Sequence, residues 1–338
     1  MTKPNQTRNE SSLERAHAAL ILYPRFRELH REIQLCQRMS KLAGEPQCMS
    51  LEGRTGAGKS TLVRTYADSF HRTETKEEIG IPVVYLEVPS PVGIKDLASA
   101  ALKRMGDPAY ERGTRASMTM RLIGLIKDCG VELVILDDFH HLIDSETNHI
   151  LTEVSEWLKY LIKETGVPFL VVGIEGKVEL ILQANAQLSR LFAARETLPP
   201  FRWETAHPQT IQEFAHFVDY AEKAVEKPLS SEVRRTEMLY RIHYATDGVV
   251  GNVMNLIRFA AMLCEMRGKS EIGLAILSLA FQQRLAKHLS TKCDPFSESA
   301  TVRFTPSVSA PSTKPGRVPR GRRRKNHEPS IAETLTTR

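Results

Sequence analysis

The sequence predicts an α/β protein, a parallel five-stranded sheet covered by helices, followed by a small all-helical domain. Three observations predict it. Short apolar runs alternate with stretches of helical period up to about residue 200. One loop, GRTGAGKST at residues 53–61, fits G-x-x-x-x-G-K-[ST] without a mismatch. Beyond residue 209 the apolar runs stop and only helical patterns remain.

Four runs read as buried strands: CMSLEG (48–53), VVYLEV (83–88), LVILDD (133–138) and FLVVGI (169–174). They are too uniformly apolar to alternate, as expected of parallel strands buried on both faces. A fifth strand is expected around TLPPFRW, weakened by Pro199 and Pro200. Helical patterns fill the gaps at 59–70, 95–105, 115–128, 148–164 and 186–194, and amphipathic helices are expected at 209–225, 230–246, 252–267 and 271–289. The expected organisation is a polar, disordered segment 1–12, a sheet domain 13–205 with a helical lead-in, a helical domain 206–292 and a disordered basic tail 293–338.

Average composition yields a string like GRTGAGKST about once in a hundred chains of this length, so its context decides. CMSLEG precedes it as a strand and KSTLVRTYADSF follows as a helix, the arrangement that aims backbone N–H groups and a helix N-terminus at an anion. The loop Gly53, Arg54, Thr55, Gly56, Ala57, Gly58, Lys59, Ser60 and Thr61 is therefore expected to hold a nucleotide. Its glycines permit the close backbone approach a side chain would block. Lys59 reaches the β- and γ-phosphates, and the Ser60 hydroxyl ligates Mg²⁺. A later buried strand should end in an acid, and LVILDD supplies Asp137 and Asp138. Asp137 is expected in the Mg²⁺ shell, and Asp138 is expected to polarise the attacking water. The expected ligands are ATP and Mg²⁺.

Composition excludes other classes. No apolar run approaches the eighteen or so residues of a membrane span, and the polar N-terminus lacks a signal-peptide core, so a cytoplasmic protein with no membrane partner is expected. The five cysteines are scattered and never spaced C-x-x-C, which argues against a disulfide framework or a zinc site. His140 and His141 are adjacent, so they cannot share one helix face. The net charge is +6, yet residues 301–338 hold nine Lys/Arg against two Glu, a surplus of seven that leaves the rest near −1. The positive excess belongs to the tail, where GRRRK could meet phosphates or an acidic partner.

With both motifs in place the chain resembles the AAA+ ATPases and, within them, the TniB/TnsC transposition regulators, over roughly residues 15–290. The narrower resemblance rests on the lead-in YPRFRELHREIQLCQRM, the ending DDFHHL, QLSRLF ahead of LPPF, and the short helical C-terminal domain. It implies a protein that assembles with ATP on duplex DNA as a helical or ring homo-oligomer and connects a TniQ-like target selector to a transposase. It also implies an arginine finger acting on the neighbouring subunit's nucleotide, with Arg190 in QLSRLF as first choice and Arg195 as second. Between the second strand and LVILDD lie Lys95, Lys103, Arg112, Thr114 and Arg115, in the region that faces DNA in related regulators. Phosphate contacts of that kind position a protein without reading bases.

Three departures from the family pattern stand out. Asp138 occupies a position where the family usually carries Glu, one methylene longer, which implies slow turnover. Met254 stands where Arg is frequent, with Arg258 one turn later, and FLVVGIEG ends without the Asn or Thr of a sensor strand, Glu175 being the nearest polar side chain. Two alternatives remain beside the ATPase reading: a nucleotide-dependent scaffold or switch with little turnover, and another AAA+ DNA protein such as an initiator or helicase loader.

Overall fold

A computed structural model of the chain describes residues 23–75, 79–89, 93–143, 148–287, 289 and 293–297. The expectations for residues 1–12 and for the tail from 298 onward lie outside the described residues.

The described residues begin with α1 (Pro24–Ala43), opened by a proline in its first turn and closed by left-handed Gly44. β1 (Met49–Gly53) leads into α2 (Lys59–Asp68). A two-strand hairpin of β2 (Thr73–Glu74) and β3 (Ile79–Gly80) follows, absent from the expected elements because each strand is only two residues long. β4 (Val83–Glu87), α3 (Ile94–Met105), α4 (Arg115–Asp128) and β5 (Leu133–Asp137) come next. A 3₁₀ turn at Phe139–Ile143 leads to α5 (Asn148–Thr165), β6 (Phe169–Ile174), α6 (Lys177–Gln183), α7 (Ala186–Leu191) and β7 (Ala194–Thr197). Four helices end the order: α8 (Pro208–Val225), α9 (Arg235–Thr246), α10 (Val250–Met266) and α11 (Leu274–Arg284).

The five long strands form one parallel sheet in the order β4-β5-β6-β1-β7. Alternate residues serve opposite faces. Leu51, Leu133, Ile135, Leu170 and Val172 join a core shared with α1, α2 and the C-terminal helices, whereas Val84, Leu86, Val134, Leu136 and Val171 join one shared with α3 to α7. Burial on both faces explains why these strands read as unbroken apolar runs.

The fifth strand corrects the sequence reading. It is ARET rather than TLPPFRW, pairs Met49 with Ala194, and ends where the prolines begin. An edge strand paired on one side needs no apolar run, so its alternating half-exposed pattern left no strong signal. Helix α6 was likewise unforeseen, being only seven residues. Three C-terminal helices have other bounds than expected, since α9 starts at Arg235, α10 at Val250 and α11 ends at Arg284. Residues assigned by composition to the tail also pack onto this segment: Phe296 is buried against Phe281, and the Arg241 guanidinium donates to the Pro295 carbonyl at 2.6 Å. Among the described residues no single helix is long and apolar enough to cross a membrane.

The C-terminal helices are tied to the end of the sheet at one turn. Gly248 has φ 65°, and a Cβ there would lie 2.1 Å from the Phe201 carbonyl oxygen. The same two residues are bonded, Phe201 N donating to the Gly248 carbonyl at 2.9 Å. Gly248→Ala is expected to cost about 1–3 kcal/mol through left-handed strain and the backbone clash. Urea unfolding measures it; an unchanged midpoint would contradict this account of the turn.

Candidate functional site

β1 ends at Gly53, where a Cβ would come within 2.6 Å of the Leu198 carbonyl oxygen, so only glycine lets the two backbones pass. The loop then turns through Gly56 at φ 78° and Gly58 at φ 97°, both left-handed, and Gly58 caps α2. The start of α2 leaves free N–H groups beside the loop, with no acid in its first turn to oppose an anion. Lys59 is only 7% exposed, and its Nζ donates to the carbonyls of Gly53 at 2.8 Å and Arg54 at 3.0 Å. Burial pushes its pKa down, while Asp137, Asp138 and Glu52 hold it up. The ammonium is thus dehydrated and parked on carbonyls it can exchange for phosphate oxygens.

β5 delivers the acids. Asp137 is fully buried; its Oδ1 accepts from the Asp138 N–H at 2.9 Å and its Oδ2 from the Tyr85 hydroxyl at 2.9 Å. Burial above all, with the Asp137 carboxylate adding to it, pushes the Tyr85 hydroxyl up to about 12. Asp138 is half-buried and has φ 53°. Asp and Asn are several-fold enriched in that conformation, a physical reason for the short acid at this position. Its Oδ1 lies 4.0 Å from His140 Nδ1. Because β6 separates β1 from β5, the loop and Asp137 stand two strand spacings apart, roughly 10 Å.

A cavity of about 560 Å³ opens between these parts, a volume suited to a small-molecule ligand. Thr55, Gly56, Ala57, Gly58, Lys59, Ser60 and Thr61 line it from the loop, and Asp138, His140, His141 and Ile174 line it from the ends of β5 and β6. Tyr23, Phe26 and Phe217 form an aromatic end, and Val250, Gly251, Met254 and Arg258 approach from α10. The structure therefore brings together most of the sequence-predicted site. Arg54 contributes its carbonyl, and Asp137 sits beneath the surface. Ile174 occupies the end of β6, and Glu175 is exposed. Met254 reaches the cavity together with Arg258, whose pKa burial pushes down. A hydroxyl at Ser60 and a carboxylate at Asp137 are hard oxygen donors that suit Mg²⁺, and the two bonds to Asp137 leave lone pairs on both its oxygens.

Sequence reasoning missed Tyr85, the aromatic end and the backbone contact between α10 and the loop. Tyr85 had one available signal, the single hydroxyl in a strand whose other polar side chain is Glu87 at its end, whereas Gly251 had none. Its N–H donates to the Gly56 carbonyl at 2.8 Å, and a Cβ on it would lie 2.8 Å from that same oxygen.

The remaining candidates lie outside the cavity. Lys95 and Lys103 are exposed on α3, with Lys103 Nζ 5.2 Å from the Tyr110 ring centroid. Arg112 and Thr114 are exposed in the loop before α4; Thr114 caps that helix by accepting from Ser117 N at 3.2 Å, and Arg115 lies 3.5 Å from Glu153. Arg121 braces the loop, bonding Asp107 at 2.9 Å and the carbonyls of Ala109 and Arg112 at 2.8 Å. Arg190 is exposed on α7 and makes no ion pair among the described residues. Arg195 is instead committed within its own chain, paired with Glu179 and bonded to Ser189 Oγ at 2.6 Å and the Phe192 carbonyl at 3.1 Å.

The family described as bacterial TniB protein matches residues 14–204. No curated protein matches the chain. Among solved structures, the ORC2 protein of Aeropyrum pernix in its ADPNP–ADP complexes is similar with TM-score 0.57 and 16% identity, covering 82% of this chain and 74% of that one. The Cdc6p protein of Pyrobaculum aerophilum gives TM-score 0.58 and 14% identity over 81% and 71% of the two chains. The Aeropyrum pernix ORC1 protein in complex with DNA gives TM-score 0.56 and 16% identity over 83% and 72%. The fold is that of the AAA+ proteins.

The contrast between the two arginines predicts different thermal behaviour. Arg195→Ala breaks an internal pair and several hydrogen bonds, so its melting temperature should fall, by an amount matching about 1–2 kcal/mol. Arg190→Ala should melt with the parent. The reverse order would show that Arg190 is the structural residue.

Proposed function

The chain belongs to the bacterial TniB protein family, and from that premise we propose that it is an ATP-dependent AAA+ regulator of transposition. In this reading it assembles on duplex DNA in the cytoplasm and links a TniQ-like target selector to a transposase. The observation that carries the nucleotide part is the buried Lys59, poised on loop carbonyls at the mouth of a cavity with Asp138 opposite.

Lys59 and the loop amides bind the β- and γ-phosphates, and the aromatic end around Tyr23 takes the base. Ser60 and Asp137 hold Mg²⁺, which neutralises phosphate charge. Asp138 accepts a hydrogen bond from the attacking water, so that ATP and water become ADP and phosphate. Arg258 reaches the phosphates from α10, taking the part Met254 lacks. Arg190 is free to enter a neighbour's cavity, and a group acting only across an interface makes hydrolysis depend on assembly. Lys95, Lys103, Arg112, Thr114 and Arg115 contact DNA phosphates. A second reading, a nucleotide-dependent switch with little turnover, is favoured by the short Asp138 and by Met254.

Two measurements test this. Lys59→Ala should weaken ATP binding about thirtyfold or more, the equivalent of losing ~2 kcal/mol from a buried charged contact. Undiminished affinity would remove the nucleotide site as drawn. For DNA, truncation after Ser297 spares the packed Phe296, so ATP-dependent assembly on DNA should persist, while Arg112→Ala should weaken it uniformly across sequences. Each lost phosphate contact should lower the salt slope by about 0.9. If the truncation alone loses DNA and Arg112→Ala keeps its full slope, the tail is the DNA-binding element.

A further inference from the structure

A hydrogen-bonded relay runs from the phosphate-loop helix to the buried acid of the site. On α2, Ser60 and Arg64 are four residues apart and so share one face. The Arg64 guanidinium donates to the Tyr85 hydroxyl at 3.2 Å, and that hydroxyl donates onward to Asp137 Oδ2 at 2.9 Å. The same Arg64 Nη2 also reaches Glu87 at 3.2 Å, and the guanidinium carbon stands 5.4 Å from the Tyr85 ring centroid. The sheet register sets the reach: Tyr85 is opposite Ile135 and Glu87 opposite Asp137, on directly paired strands.

Asp137 is fully buried, so its carboxylate is oriented by protein neighbours, among them the two hydrogen-bond donors. Asp138 N–H holds one oxygen, but it belongs to the adjacent peptide and moves with the same backbone. Tyr85 is the partner that comes from another strand. We propose that Tyr85 is a positioning residue for Asp137: its hydroxyl fixes the carboxylate so that the free lone pairs face the Mg²⁺ that accompanies the nucleotide, and Arg64 holds that hydroxyl in place. The proposal rests on the nucleotide-site reading and adds to it a residue that touches neither nucleotide nor metal. Such outer partners of a metal-ligating carboxylate typically carry ten- to a hundredfold in metal affinity. The relay also connects both ends of the site, since the helix that presents Ser60 to the metal orients the acid across from it.

The test is Mg²⁺ titration of the binding of a fluorescent ATP analogue to the full chain, read as half-saturating Mg²⁺ and as affinity in excess EDTA. Tyr85→Phe keeps the ring and removes one oxygen. It should raise the half-saturating Mg²⁺ by about tenfold while the metal-free affinity stays at the parental value. Arg64→Gln should shift it in the same direction by less. In an Asp137→Asn background, Tyr85→Phe should add nothing, because the group it positions is gone. A structural role for Tyr85 would instead lower binding equally with and without Mg²⁺, in both backgrounds, and that result overturns the proposal. So does a parental Mg²⁺ curve for Tyr85→Phe. Should Tyr85→Phe prove unfolded by circular dichroism, the Arg64→Gln curve decides alone, a parental curve rejecting the relay. Failure of the site reading looks different, since the parent would then bind no analogue under any condition.

Discussion

The structure turns on one constraint: a lysine must be held dry inside a loop that has no acid of its own. Lys59 achieves this by donating to two carbonyls of the turn it follows, with Asp137, Asp138 and Glu52 as the counter-charges that oppose the effect of its burial. The strand order sets the spacing. With β6 between β1 and β5, the loop and the acids stand about two strand spacings apart, and the cavity opens between them. The glycines follow from the same need, since the loop must pass Leu198 at Gly53 and turn left-handed at Gly56 and Gly58 to bring its carbonyls under the amine.

The helical segment is part of this site as well as a neighbour to it. Its α10 begins with Gly251 bonded to the Gly56 carbonyl, and the next two turns offer Met254 and Arg258 to the cavity. The preceding turn is fastened to the sheet through Gly248 and Phe201, and His243 Nε2 lies 2.8 Å from the Phe201 carbonyl oxygen. A ligand that alters the loop therefore acts directly on the start of α10, with no intervening side chain. Tyr23 and Phe26 play the matching part at the aromatic end, so the cavity is closed by residues far apart in sequence.

What was legible in the sequence follows from what leaves a local pattern. The three inner strands and β4 at one edge bury apolar side chains on both faces and announced themselves as apolar runs; the loop and the Asp pair were readable because their chemistry demands fixed spacing. ARET at the sheet edge carried no such demand, and its neighbours TLPPF looked more strand-like while being proline-interrupted. That Arg195 is committed within its own chain was equally invisible, because its pairing depends on Glu179 and Ser189, which only folding brings to it. Asp138 is the instructive middle case. Its presence was plain and seemed a departure, yet the left-handed backbone that favours it appeared only in three dimensions.

Hydrogen exchange of the full-length chain, with and without ATP and Mg²⁺, tests the central claim most directly. If nucleotide occupies the cleft between the phosphate loop and α10, ATP should slow exchange in two separated stretches together, residues 53–61 and 249–258, with EDTA weakening the effect. Protection of the loop alone would detach the helical segment from the site. Protection of neither stretch at saturating ATP would contradict the account at its base.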